Sequence, residues 1–141
     1  AVSVDKALKY YDLLKRPLVV MDSGLFINEL GGFPGVYTKY ALDTIGIDRI
    51  IQLLGAAARA YTQRTITYFD GGEPRTFTLK IHGTLLKNPR GNNGRNYDKY
   101  FLPENKNKTL AEMTDEEKAE LTAVVWQELA ARLSVLKLNH E

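Results

Sequence analysis

The sequence predicts an α/β fold in which helices flank a mixed β-sheet. Three observations support this. A helical pattern leads directly into the short apolar segment Leu18 to Met21, which has the length of a strand. The triplet Asp70-Gly71-Gly72 is a strong hairpin signal between two segments rich in strand-forming residues. Thr114 and Glu117 form a capping box that begins a long amphipathic helix.

The first predicted helix is capped by Ser3 and should end near Lys15, because Pro17 disfavours helical backbone in the residue before it. Its apolar residues recur at helical spacing: Val4, Ala7, Leu8, Tyr11 and Leu14. The strand that follows is expected to be buried and parallel, because a helix feeds directly into it. The segment from Asp22 to Val36 holds four glycines and is expected to be a shaped loop.

Two short helices are predicted next, hinged at Gly46, and they are followed by strands on either side of the hairpin turn. The helices cover Tyr37 to Ile45 and Ile47 to Leu54, and the first strand covers Ala60 to Phe69. In the second strand, Phe77, Leu79 and Ile81 alternate with polar residues, which is typical of a half-buried strand.

A second glycine-rich loop runs from Asn88 to Asn96, and Tyr97 to Leu102 is expected to form a short strand. The last helix carries a leucine-rich stripe at helical spacing: Leu121, Val125, Leu129, Leu133 and Leu136.

Composition indicates one ordinary globular domain over residues 1–141, with 44% apolar and 26% charged residues. The net charge of +2 is too small to indicate nucleic-acid or membrane binding. No apolar run approaches the ~20 residues of a membrane span. The chain has no cysteine, which excludes disulfides and thiolate metal sites. We expect a cytoplasmic location, although the composition also suits an organelle.

Asp22 is the first candidate site residue, because it follows an apolar strand at the edge where α/β sheets place their ligands. Its carboxylate could bind a divalent cation or position an attacking water. The alternative is that Asp22 only caps the turn that follows it, and spacing alone favours this alternative.

Three motifs resemble the ITPase/HAM1 family of nucleotide pyrophosphatases. Met21 to Tyr37 is similar to the family's acidic pair, Ser-Gly-Leu and Leu-Gly-Gly-x-Pro-Gly-x-Tyr. Asn88 to Asp98 resembles its Pro-Arg-Gly-x-x-Gly-Phe-Gly-Tyr-Asp loop, and Thr109 to Lys118 matches Thr-x-Ala-Glu-Met-x-x-Glu-Glu-Lys. The motifs occur in the family's order over almost the whole chain.

The resemblance implies Mg²⁺-dependent cleavage of purine nucleoside triphosphates with deaminated bases, giving a monophosphate and pyrophosphate. It implies that Asp22, next to Ser23 and Gly24, serves the metal and the water. Lys6 matches a phosphate-binding lysine, and Lys118 matches another lysine that contacts the substrate. Tyr97 and Asp98 match the residues that cover and read the base. For lysines, the alternative is an ordinary place on a solvated helix surface.

The chain departs from the family's pattern at four places. It starts after the Thr-Gly-Asn-x-x-Lys phosphate loop, so we expect the N-terminal strand-helix unit to be missing. Met21 replaces one acidic residue, and a thioether is a poor ligand for Mg²⁺. Arg95 replaces the aromatic ring that stacks on the base. Thr122-Ala123-Val124 replaces the Ser-His-Arg triplet that reads the base, which should relax selectivity.

Three functions therefore stay open. The chain is a divergent pyrophosphatase, an inactive family member that serves as an interaction subunit, or a regulator that binds nucleotides without cutting them. We expect either a homodimer or a partner that covers the missing N-terminal lobe, since an incomplete sheet exposes an edge and an apolar face.

Overall fold

The computed structural model describes the backbone of residues 2–139 and the side chains of residues 3–133. In chain order, the elements are α1 (Val2–Leu14), β1 (Leu18–Ile27), β2 (Pro34–Gly35), α2 (Thr38–Thr44), α3 (Ile47–Leu54), β3 (Ala58–Phe69), β4 (Arg75–Leu85), β5 (Phe101–Pro103) and α4 (Asp115–Asn139). Single 3-10 turns occupy Asn28–Leu30 and Leu110–Glu112. The strands form one sheet in the order β2-β1-β3-β4-β5, so the α/β prediction is confirmed. None of the described helices is long and apolar enough to cross a membrane.

The strand pairings follow from short connections. β1 pairs antiparallel with β2, and β4 pairs antiparallel with β5. Only residues 70–74 connect the neighbouring strands β3 and β4, which is too short for a parallel crossover and makes this pair a hairpin. The expectation of a parallel first strand is therefore wrong at its pairing with β2, because the chain turns back directly after Ile27.

The chain divides into two compact units, and several long elements contribute residues to both. The first unit comprises Ala1–Ser23, Arg64–Leu79 and Ala119–Glu141. In it, Ala7 of α1 packs with Val20 and Phe69, and Ile66 packs with Val125 and Leu129 of α4. The leucine-rich stripe of the last helix is thus confirmed at Val125, Leu129 and Leu133; Leu121 is half-buried outside this cluster, and the side chain of Leu136 lies outside the described residues.

The second unit comprises Gly24–Gln63 and Lys80–Lys118. Its core joins the apolar faces of α2 and α3 to residues of four strands: Leu25, Ile27, Ala41, Ile47, Ile50, Ile51, Ala58, Ala60, Leu85, Tyr100 and Phe101. The hinge between α2 and α3 is confirmed, since Gly46 has a φ of 86° that a residue with a side chain rarely adopts.

Four predictions near the N-terminus are wrong. β1 continues through Asp22 to Ile27, so the expected loop begins six residues later. Exposure alternates from Leu18 to Gly24, so this part of β1 is half-buried and not fully buried. Ser3 is not an N-cap: it lies inside α1, is buried, and its Oγ is 2.6 Å from Thr67 Oγ1. Leu8 and Leu14 of the expected apolar stripe are exposed.

Predictions from local sequence signals are mostly confirmed. α1 ends at Leu14, as Pro17 predicts. The hairpin turn forms at Asp70-Gly71-Gly72, where the Asp70 carboxylate accepts the Gly72 N–H. The predicted strand at Tyr97 to Leu102 is only partly right, because β5 begins at Phe101 and the preceding residues form turns. The capping box at Thr114 is confirmed by reciprocal hydrogen bonds with Glu117 of 3.2 and 3.1 Å.

Candidate functional site

Lys6 and Asp22 meet in the first unit. Strand alternation places Val20 and Asp22 on the same face of β1. Ala7 packs against Val20, and this contact brings its neighbour Lys6 over Asp22. The Lys6 ammonium donates to Asp22 Oδ1 at 2.7 Å, and the two side chains are 41% and 28% exposed. Asp22 is therefore not the cap of a turn, as the alternative held, but one half of an ion pair in a strand.

The second oxygen of the Asp22 carboxylate is unsatisfied. Oδ2 is buried and has no hydrogen-bond partner. Leaving a buried polar atom unpaired costs about 1–3 kcal/mol, so a ligand that supplies a donor or a positive charge would be favoured there. The carboxylate thus has one oxygen held by an ammonium and one available for a water or a cation.

This carboxylate fits a magnesium ion only as a single protein ligand. Among residues 3–133, no group of three or more histidine, aspartate or glutamate side chains could hold a metal. Mg²⁺ commonly keeps several waters and binds through one or two carboxylates plus substrate phosphates, so one aspartate is compatible with that mode. Asp22 would be the residue that holds the ion.

The neighbours of Asp22 on β1 differ in their roles. Ser23 is exposed, and its side chain makes no hydrogen bond with the described residues. Gly24 is buried, and a Cβ there would lie 2.9 Å from Gly35 O. Gly24 therefore permits the close approach of two backbone segments, which explains this glycine without a ligand. Thr38 fixes the same corner, because its hydroxyl donates to Gly35 O at 2.6 Å.

Asp98 and Lys118 meet in the second unit, across the second glycine-rich loop. The Lys118 ammonium lies 3.5 Å from Asp98 Oδ2 and donates to Asn93 O at 2.5 Å. The same Asp98 oxygen accepts the backbone N–H of Arg95. Both charged side chains are about one-quarter exposed, at 24% for Asp98 and 26% for Lys118. The contacts fix the Asp98 carboxylate and leave part of it accessible.

Two residues of this cluster were missed by sequence reasoning. Asn93 contributes its carbonyl to Lys118 and anchors the loop by donating its amide to Met113 O at 2.6 Å. A Cβ on Gly94 would lie 2.3 Å from Asp98 Oδ2 and 2.9 Å from Lys118 Nζ. The density of glycines in this loop was the signal that could have identified Gly94. Tyr97 is half-buried and packs against the core of its unit.

The perturbed pKa values lie at structural contacts. Hydrogen bonds from the Thr114 and Thr109 backbones are the main causes that lower the pKa of Glu117 and of Glu112, respectively. The hydrogen bond between Tyr100 and Asp48 raises the pKa of Tyr100 to about 12 and lowers that of Asp48. These groups cap helices and tie α3 to the segment before β5, so we assign them no chemical role.

Comparison with known proteins identifies the family. The model of the Ham1 family matches residues 1–123. The dITP/XTP pyrophosphatase of Hyperthermus butylicus is 42% identical over 119 residues, which cover 83% of this chain and 63% of that protein. Inosine triphosphate pyrophosphatase 2 of Trypanosoma cruzi is 38% identical, over 83% of this chain and 62% of that protein. The chain thus spans about three-fifths of the length of the curated relatives it matches.

Solved structures agree on the fold. The Staphylococcus aureus Ham1 protein superposes with a TM-score of 0.81 at 24% identity, covering 94% of this chain and 74% of that one. A nucleoside-triphosphatase, also described as a dITP/XTP pyrophosphatase, from Mycobacterium abscessus gives a TM-score of 0.74 at 26% identity, over 95% of this chain and 73% of that one. The family model that matches residues 1–123 and the 42% identity to the Hyperthermus butylicus protein together show that the chain belongs to the Ham1 family.

Proposed function

We propose that this chain hydrolyses non-canonical purine nucleoside triphosphates to monophosphates and pyrophosphate. The observation that carries the proposal is the Lys6–Asp22 pair, in which one carboxylate oxygen is buried and unpaired. Family membership supports it, since relatives are named dITP/XTP or inosine triphosphate pyrophosphatases. A cytoplasmic location stays a prediction.

The proposed chemistry requires charge neutralisation and a positioned water. The Lys6 side chain is 41% exposed, so its ammonium can reach a phosphate oxygen while it still orients Asp22. The unpaired Asp22 Oδ2 would accept a hydrogen bond from the attacking water or hold Mg²⁺. When bound, Mg²⁺ would neutralise charge on the phosphates.

The proposed base contacts lie in the second unit. Asp98 would accept hydrogen bonds from the base, and Lys118 would donate to the substrate; their mutual contact holds both in place. Tyr97 would cover the base. Ser23 and Gly24 would contact the substrate beside Asp22, although the close approach to Gly35 is already a sufficient reason for the glycine at position 24.

The test is pyrophosphate release from inosine, xanthosine and common purine triphosphates, with and without Mg²⁺. We expect turnover of the first two and a strong dependence on Mg²⁺. Asp22→Asn should remove the activity, whereas the matched control Asp43→Asn, which removes an exposed carboxylate from α2, should not. Equal turnover by wild type and Asp22→Asn would contradict the proposal.

One observation favours a second function, that of an interaction subunit. β2 pairs only with Leu25 and Phe26, so the described chain provides no strand beside Leu18 to Ser23 on that edge of β1. Val19 and Met21 in this stretch are 45% and 46% exposed. An open edge with exposed apolar side chains can pair with another chain. Sedimentation distinguishes the possibilities: we expect a homodimer or a larger complex, and a catalytically active monomer would contradict the second function.

A further inference from the structure

The second glycine-rich loop encloses a cleft of about 140 Å³. Its polar lining consists of Asn92, Arg95, Asn96 and Lys99, and the other lining residues are two glycines and an alanine. A water molecule occupies roughly 30 Å³ in the liquid, so the cleft has room for one ring system or one phosphate group and not for a whole nucleotide.

The cleft is positively charged. No carboxylate lines it. The Asp98 carboxylate nearby is already held by Lys118 and by the Arg95 N–H. Lys99 Nζ forms an ion pair with Asp48 Oδ1 at 3.5 Å. The guanidinium of Arg95 is exposed and has no hydrogen bond or ion pair with the described residues, so it is the uncompensated charge of the lining.

We propose that Arg95 makes this cleft selective for an anionic purine base, so that xanthine nucleotides bind better than inosine nucleotides. This inference rests on the proposed function and deepens it. A xanthine base loses a proton near neutral pH, whereas a hypoxanthine base stays neutral. A planar guanidinium can stack on the base and also attract its negative charge. Asn92 and Asn96 can both donate to and accept from the ring edge.

The size of the effect follows from exposure. Arg95 lies at the surface, where a charge pair is weakened by solvent, so the preference for the xanthine nucleotide should be about 1.5-fold to fivefold. A phosphate group shares the anionic chemistry and would also fit the cleft. The experiment must therefore separate base from phosphate.

The experiment measures binding of xanthosine and inosine monophosphates to the intact chain by calorimetry, with free xanthosine and inorganic pyrophosphate as separate probes. We expect tighter binding of xanthosine monophosphate, and we expect Arg95→Gln to remove that preference by weakening this nucleotide alone. Arg95→Lys should retain part of it. The control Arg49→Gln removes another exposed positive charge, from α3, and should leave the preference unchanged.

A pH series gives an independent readout. The preference should disappear below the pKa of the xanthine base, because both bases are then neutral. The titratable groups around the loop each have a hydrogen-bond or ion-pair partner in the structure: Asp98, Lys118, Lys99, Asp48, Tyr100, Arg90, Glu112 and Asp115. The hydrogen bond from Tyr100 lowers the pKa of Asp48, and the Thr109 backbone N–H lowers the pKa of Glu112.

Each outcome decides the matter. Equal binding of the two nucleotides, or a preference that persists in Arg95→Gln, overturns the assignment of Arg95. Loss of pyrophosphate binding in Arg95→Gln with unchanged base preference assigns the cleft to phosphate and also overturns it. If neither nucleotide binds, pyrophosphate release from the triphosphates separates the two failures: turnover that persists overturns the assignment of Arg95, and no turnover means that the proposed function itself fails.

Discussion

The Lys6–Asp22 pair allows a test that separates a carboxylate kept for chemistry from one kept for stability. We expect Asp22→Asn to reduce pyrophosphate release by about 10²-fold or more, as removal of a preorganised electrostatic group does. The same substitution should change the free energy of unfolding by no more than about 1 kcal/mol.

The small effect on stability follows from two opposing terms. Exposed ion pairs stabilise by about 0.2–1 kcal/mol, and Lys6 is 41% exposed, so solvent screening applies here. Against this, the carboxylate carries a buried oxygen without a partner, whose desolvation costs about 1–3 kcal/mol. A neutral amide loses the ion pair but is cheaper to bury, so the two terms nearly cancel.

Urea denaturation followed by circular dichroism measures the stability, and a pyrophosphate assay measures the activity. Lys6→Met completes a double-mutant cycle, in which we expect a coupling energy below about 1 kcal/mol. A loss of 3 kcal/mol or more from Asp22→Asn would be typical of breaking a buried pair and would refute this reasoning. Unchanged activity would refute the proposed role.

Three further predictions concern the framework. Gly94→Ala places a Cβ 2.3 Å from the Asp98 carboxylate at a φ of 148°, so it should lower the free energy of unfolding by about 1–3 kcal/mol in urea titrations. The control Gly31→Ala, at a φ of 65° and with open space around the new Cβ, should lower the free energy of unfolding by less. Capping hydrogen bonds lower the pKa of Glu117, so its ionised form stabilises the fold above the ordinary pKa, and this stabilisation is lost as the pH falls through the lowered value. Glu117→Gln should therefore flatten the acid side of a plot of Tm against pH. The pKa of Tyr100 is raised from 10.0 to about 12, so its neutral form stabilises the fold below pH 10, and this stabilisation is lost as the pH rises towards 12. Tyr100→Phe should remove that alkaline loss of stability and lower the free energy of unfolding by about 0.5–1.5 kcal/mol near neutral pH.

Sequence reasoning predicted the features that local interactions decide. The end of α1, the hinge at Gly46, the turn at Asp70 and the capping box at Thr114 each depend on residues within a few positions of one another. The extension of β1 was missed because it depends on distant pairing: Phe26 pairs with Pro34, and β3 lies on the other side of β1. Ser3 was misjudged for the same reason, since its hydrogen-bond partner Thr67 lies 64 residues away.

The candidate site divides in a similar way. Periodicity and spacing do not indicate that Lys6 and Asp22 are in contact, and only the family resemblance predicts a role for both. In the structure, the packing of Ala7 on Val20 brings the two side chains together. Asn93 was missed because its role depends on the carbonyl that the loop presents to Lys118. Such a backbone contact is a property of the folded loop and leaves no mark on residue type.

The position of Asp22 within a strand changes how Met21 should be interpreted. The sequence predicts that Met21, which replaces one member of the family's acidic pair, removes a metal ligand. Neighbouring side chains of a strand point to opposite faces. Exposure follows this alternation, since Val20 is buried, Met21 is 46% exposed, and Asp22 contacts Lys6 on the face that packs against α1. A carboxylate at position 21 would therefore lie on the other face of β1, so Met21 removes no ligand from the side where the unpaired oxygen of Asp22 lies.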